Sequence, residues 1–136
     1  MSEENKAIAR YSYELFNAQN LDALEDVLAT NIVDHSPAPG QPPGIEGVKQ
    51  FFGMLFAAFP DFYITVEDMI AEGDKVVARV RINSTHQGEF MGIPPTGIQV
   101  TQTGIDILRI ANGKVVERWG EFDNLGMMQQ LGVIPS

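Results

Sequence analysis

From Phe62 to Phe122 the apolar residues stop recurring at helical spacing and alternate instead, and this change of period constrains the chain more than any other feature. Phe62–Ala71, Lys75–His86, Ile98–Ile110 and Lys114–Phe122 read as strands. Gly73-Asp74 and Asn112-Gly113 separate them as hairpin turns, Asn-Gly being the strongest short hairpin signal. The longer connection, Gln87–Gly97, carries Pro94-Pro95 and ends in glycine.

Before this meander the spacing is helical. Ile8, Tyr11, Leu15 and Phe16 share one face, so Glu3–Phe16 reads as an amphipathic helix. Asn20 can cap a second helix over Leu21–Ala29, with Leu24, Val27 and Leu28 inward. Asn31–His35 reads as a short strand, stopped by a stretch from Ser36 to Gly44 whose prolines remove backbone donors and impose an irregular, lid-like loop. Glu46–Phe59 is the third helix, with Val48, Phe51, Phe52, Leu55 and Phe59 as an apolar stripe ended by Pro60-Asp61. A terminal helix follows Asp123. Helices, then a long antiparallel meander, then a short helix give an α+β class. A strongly twisted sheet folded against its helices leaves room for a hollow between the layers.

At 136 residues the chain, residues 1–136, fits one domain, with 44% hydrophobic and 20% charged residues. Its net charge of −9 disfavours nucleic acid and anionic membrane, since both need a basic footprint. There are no cysteines, which removes disulfides, thiolate metal sites and thiol nucleophiles. The first residues lack the apolar core of a signal peptide, and no run is long enough to span a membrane, so the expected location is cytoplasmic.

The stretch Trp119–Gly132 carries the chemistry. Trp119, Glu121 and Asp123 are spaced by two, so while the strand persists they share a face. Were that face the inside of a pocket, Asp123 would be the acid/base candidate. Glu121 would then be a neighbouring anion that raises its pKa, and Trp119 and Phe122 would exclude water. The competing reading of Asp123 is a helix N-cap for Asn124–Leu131. His86 ends a strand on which Val76, Ala78, Val80, Ile82 and Ser84 share its face. It reads either as a polarising donor to a substrate carbonyl or as a lock on the Gln87–Gly97 loop. His35, ahead of the proline-rich loop, either lines the same cavity or satisfies the strand end. Asp61 reads as a turn or cap residue. No pair of these groups has the tight spacing of a metal site, and none is expected.

Val33-Asp34-His35, Phe59-Pro60-Asp61, the run Thr85-His86-Gln87-Gly88 through Gly92-Ile93-Pro94-Pro95-Thr96-Gly97, and Trp119–Asp123 with Gln130-Leu131-Gly132 together resemble the SnoaL-like polyketide cyclases, also labelled ester cyclases. The resemblance spans nearly the whole chain. It implies a cone of curved antiparallel sheet packed on N-terminal helices, of the nuclear-transport-factor-2-like type. It also implies closure of a ring in a hydrophobic carbonyl compound by intramolecular aldol condensation, without metal or organic cofactor. The acid/base aspartate of that group matches the segment holding Asp123, and the pocket reading of His86 gains from it. Arg118 stands where a characterised cyclase of the group has a substrate-holding histidine, and alternation turns it away from Trp119 and Asp123. Folds of this kind often form homodimers through the outer sheet face, where Arg79 and Arg81 are expected.

The resulting expectation is a cofactor-independent cyclase or isomerase with Asp123 and His86 catalytic and His35, Trp119, Phe122 and Glu121 around the substrate. A non-catalytic binding protein, or a hydrolase of an epoxide or ester in the same cavity, are the alternatives.

Overall fold

The computed structural model describes residues 2–135. Helix α1 spans Ser2–Asn17, strand β1 Leu28–Asp34, helix α2 Gly44–Ala58, strand β2 Tyr63–Glu72, strand β3 Lys75–Thr85, strand β4 Gln99–Ala111, strand β5 Lys114–Phe122 and helix α3 Asn124–Leu131. The five strands form one sheet in the order β1-β5-β4-β3-β2. The meander is antiparallel as expected, but β1 runs parallel to β5 at the edge, so the sheet is mixed.

The helices bury one face each, but that of α1 is turned from the expected one: Leu15 and Phe16 are buried, Tyr11 is exposed and Tyr13 lies inside. Ala9, Ser12, Tyr13 and Phe16 of α1 are buried at i, i+3 and i+4 intervals. The helix ends where the side chain of Asn17 exchanges two hydrogen bonds with the backbone of Ile64 in β2. Helix α2 brings Phe52 onto Phe16, with ring centroids 4.1 Å apart, and Phe56 onto Phe62 at 5.5 Å. Pro60 follows it, and Asp61 accepts from both the amide and the hydroxyl of Thr85, at 2.6 Å each, fastening the end of β3.

One expectation needs revision. The segment read as a helix over Leu21–Ala29 is only a 3-10 turn, Asp22–Asp26, and the chain is already extended at Leu28. Leu24, Val27 and Leu28 are buried as expected, but packing against β5 wins over local helix propensity.

The sheet's inner face carries Val76, Ala78 and Val80 of β3, Leu108 and Ile110 of β4 and Val115 of β5, all buried against the helices. Arg79 and Arg81 point to the outer face, in ion pairs with Asp68 and Glu67. In β5 the alternation slips. Val115 pairs with Ile110 and Glu117 with Arg109, so Val116 is an extra residue, a bulge. Beyond it every side chain points to the face opposite the one that counting by twos from Val115 assigns.

Candidate functional site

Downstream of the bulge, Arg118, Gly120 and Phe122 face inward, opposite Leu108, Asp106 and Gly104 of β4. Asp106 is 7% exposed, and a carboxylate there needs partners. Tyr13, arriving from α1, donates its hydroxyl to Asp106 Oδ2 at 2.8 Å. Arg118 donates from Nε to Asp106 Oδ1 at 3.0 Å, and its Nη2 lies 3.0 Å from the same oxygen in an ion pair. Its third nitrogen, Nη1, reaches Asp34 Oδ1 at 3.2 Å, Asp34 Oδ2 at 3.3 Å and the Ser36 carbonyl at 3.3 Å. Four elements thus converge on two carboxylates, one guanidinium and one phenol, which leaves one negative charge in excess.

The two glycines shape this floor. A Cβ on Gly120 would lie 2.1 Å from an Arg118 guanidinium nitrogen, and one on Gly104 would lie 2.3 Å from the Phe122 ring. The bare backbone is what lets guanidinium and ring lie flat on the sheet, with Arg118 Cζ 5.7 Å from the Phe122 ring centre. Phe52, Leu55, Ile82, Phe122 and Met127 pack on the core while keeping part of their surface exposed.

Electrostatics follow from the arrangement. Burial, then the Asp106 charge and its hydrogen bond, push the Tyr13 phenol well above its ordinary pKa against the opposing pull of Arg118, so it stays neutral. Burial is the largest influence on Arg118 and disfavours its charge. The combined charges and hydrogen bonds of Asp106 and Asp34 outweigh it and raise the pKa. Among the described residues no three His, Asp or Glu side chains are grouped as metal ligands.

The residues singled out from sequence fall in three places. Phe122 is at this inner site. Trp119 and Glu121 share a face, as their spacing requires, but pair with Ile107 and Ile105 on the outer side of the sheet. His35 joins them there, its ring stacked on Trp119 at 4.7 Å and 7°. Its Nε2 lies 2.8 Å from Glu117, which also pairs with Arg109, and Lys75 Nζ sits 5.9 Å from the Trp119 ring centre. The hydrogen bond from His35, then that from Arg109, lower the Glu117 pKa.

Asp123 is exposed just past the strand end and accepts the Gly126 amide at 2.8 Å, the N-cap geometry. Beside it runs an outward groove of about 510 Å³, which Arg79, Arg81, Thr103 and Glu121 also line. The pocket geometry expected of Trp119, Glu121, His35 and Asp123 is therefore corrected: these side chains lie on or beside the outer face. For Trp119, Glu121 and Asp123 the bulge at Val116 is the reason.

His86 is fully buried. Its Nδ1 lies 3.1 Å from Thr96 Oγ1, its backbone pairs with Ile98 and Gly97, and its ring stacks on Phe59 at 5.3 Å. The loop-locking contacts are present, and Nε2 has no hydrogen-bond partner among the described residues. His86 and Asp123 are not brought together. Asp123 bonds to Thr103, the partner of Arg81, five residues before His86, which is roughly 16 Å along the strand.

Sequence reading missed Tyr13, Asp34 and Asp106 and discounted Arg118. Asp106 did carry a signal, as the one charge inside the apolar run Ile105–Ile110 apart from Arg109, at a position where alternation demands burial.

Residues 6–131 match the family model of the SnoaL-like polyketide cyclase. Among solved structures, IdmH from Streptomyces antibioticus, provisionally described as a polyketide cyclase, is 35% identical with a TM-score of 0.83, covering 94% of this chain and 98% of its own. AclR from Streptomyces galilaeus, provisionally described as a hydroxylase, is 30% identical at a TM-score of 0.88 over 100% of this chain and 85% of its own. TsrD from Streptomyces laurentii is 28% identical at a TM-score of 0.89, covering 97% of each chain. The match extends over nearly the full chain in sequence and in fold, and the protein belongs to the SnoaL-like polyketide cyclase family.

Proposed function

We propose that this protein is a cofactor-independent cyclase or isomerase acting on a hydrophobic carbonyl compound, with Asp106 rather than Asp123 as the acid/base group. The observation that carries this reading is the buried Asp106 carboxylate held between Tyr13 and Arg118. Its Oδ2 has a lone pair beyond the one Tyr13 engages. In an aldol closure Asp106 takes a proton from the carbon next to a carbonyl. The resulting enolate forms a carbon–carbon bond to a second carbonyl of the same molecule, and the proton passes to the new alkoxide oxygen. Tyr13, a neutral phenol, and Arg118 hold the carboxylate in place. The half-exposed apolar side chains Phe52, Leu55, Ile82, Phe122 and Met127 suit a hydrophobic substrate.

The test is Asp106→Asn assayed on a panel of hydrophobic polyketide-like esters. Loss of turnover by about 10²-fold or more with ligand binding and fold retained supports the proposal. Unchanged turnover defeats it. Binding without product in the wild type favours a carrier, and oxygen from labelled water in the product favours a hydrolase.

A second feature, the unpartnered His86 Nε2, favours a polar contact from a ligand oxygen to that ring. His86 lies eight residues along from Ala78, the partner of Asp106, so roughly 26 Å separates the two along the strand. We assign it to the far end of a ligand rather than to the same bond. The outer face, with Ile70, Ile105 and Tyr63 exposed between the ion-paired arginines, suits a homodimer. No described helix is long and apolar enough to cross a membrane.

A further inference from the structure

Strand β1 stops at Asp34, the partner of Arg118, while β5 runs on to Phe122. At the next step of the ladder the Gly120 amide finds no strand and donates instead to the Ser36 hydroxyl at 3.0 Å. The proline-rich loop is therefore joined to β5 at the residue that supports the Arg118 guanidinium.

Its second attachment is Gln41. The Gln41 carboxamide accepts from the Ala38 amide at 3.1 Å and donates to Asp34 Oδ2 at 3.4 Å, while the Gln41 amide donates to the Ala38 carbonyl at 3.0 Å. One side chain thus closes the loop on itself and onto the carboxylate that binds Arg118 Nη1. Asp34 Oδ1 also accepts the Ser36 amide at 2.9 Å. The far end of the loop is equally fixed. Gly40 and Gly44 adopt left-handed backbone at φ 79° and 76°, and Gly47 at the start of α2 lies so close to the Pro42 carbonyl that a Cβ there would sit 1.6 Å away. Groove-lining residues Asn31, Val33, Pro37 and Pro43 surround about 450 Å³ of open space between the β1 edge and this loop.

We propose that Gln41 is a positioning residue for Arg118. Acting through Asp34, it ties the Ser36–Pro43 loop down so that the guanidinium stays aimed at Asp106. This rests on the reading of Asp106 and Arg118 as the working site, yet its test does not need that reading to hold. Asp34 has two oxygens, and besides Gln41 two donors reach them, the Ser36 amide and Arg118 Nη1. Losing Gln41 leaves the ion pair possible but removes the bond that fixes the carboxylate's rotation and the loop's closure.

The experiment compares wild type, Gln41→Met, which keeps the length and loses the bonds, and Gln41→Glu, which keeps the acceptor for Ala38 but sets an anion against Asp34. Hydrogen exchange of the Gly120 amide and NMR detection of the Arg118 Nε proton are read, with the Val80 amide in the central strand as the control. In both variants Gly120 exchange is expected to rise at least tenfold and the Arg118 Nε signal to weaken, with Val80 unchanged. Unchanged Gly120 and Arg118 protection in Gln41→Met overturns the proposal, as does a parallel loss at Val80, which would mark general destabilisation. With a turnover assay, Gln41→Met lowers kcat more than it raises KM. Should the exchange result hold while Asp106→Asn leaves turnover intact, the positioning role stands and the assignment of the working site fails.

Discussion

Arg118 lies flat on the backbone of Gly120: the guanidinium occupies the volume in which any side chain at 120 would begin. Residue 120 is the register partner of Asp106, so the absence of a side chain on β5 is what lets a cation reach across from 118 and meet the carboxylate on β4. A glycine in a strand interior weakens the strand, and a close approach of this kind is a common physical reason to keep one there.

Gly120→Ala is therefore expected to be destabilising although alanine is the better strand residue. The added methyl forces the guanidinium off Asp106 or the strands apart, an overpacking penalty of about 1–3 kcal/mol. Urea unfolding monitored by the emission of Trp119, the sole tryptophan, measures it. A neutral or stabilising result would mean that Arg118 moves aside freely and that its contact with Asp106 is loosely held.

How much of this was readable beforehand divides at a single residue. The helix face of α2, the hairpins at Gly73-Asp74 and Asn112-Gly113, and the inward set Val76, Ala78 and Val80 all follow from local periodicity, whereas on α1 the spacing put Tyr11 inside where Tyr13 is. The orientation of Trp119, Glu121 and Arg118 does not, because Val116 inserts one residue into β5 and no residue type announces a bulge. Counting by twos turned the outer face inward. Tyr13 falls within the helix read over Glu3–Phe16; what it touches, 93 residues away in sequence, is a tertiary fact. The cap role of Asp123 was legible from Asp followed by Asn124–Leu131, and the structure has it.

The Tyr13–Asp106 pair should be coupled in a double-mutant cycle. Tyr13→Phe removes one hydrogen bond to a charged acceptor, expected to cost about 1.5–3 kcal/mol. Asp106→Asn weakens the same bond and the ion pair with Arg118. The two changes together should cost less than their sum, with a coupling of at least about 0.5 kcal/mol. Strict additivity would show that the 2.8 Å contact contributes nothing.

Alkaline titration gives an independent reading of the same phenol. Its pKa is raised by burial first and by Asp106 second, so on going above pH ~10 the unfolded chain loses the Tyr13 proton while the folded protein keeps it. The stability linked to Tyr13 is complete below the unfolded value and is lost as pH rises toward the folded one. Wild type should lose urea resistance above that pH more steeply than Tyr13→Phe. Parallel curves would argue that Tyr13 ionises as readily folded as unfolded.

On the outer face Ile105 is 47% exposed and lies in β4 beside the Arg81–Glu67 and Arg79–Asp68 pairs. If two copies meet there, Ile105→Lys buries a like-charge pair at the two-fold contact and should shift sedimentation toward monomer without unfolding the chain. A wild type that sediments as a monomer at all concentrations, or a variant that dimerises equally well, would move any interface elsewhere.

Asp123 separates the two chemical readings most sharply, because its structural task can be kept while its proton chemistry is removed. Asparagine is as good an N-cap as aspartate, so Asp123→Asn should retain the bond to Gly126 and change stability by less than about 0.5 kcal/mol, whereas Asp123→Ala should cost about 1 kcal/mol. With Asp106 as the acid/base group, both variants turn over substrate at close to the wild-type rate once folded. A large loss of kcat in Asp123→Asn, with the cap intact by thermal unfolding, would return the proton-transfer role to Asp123. It would also mean that the end of β5 turns inward when substrate binds, a rearrangement that hydrogen exchange at the Asp123 amide, now bonded to Thr103, would register directly.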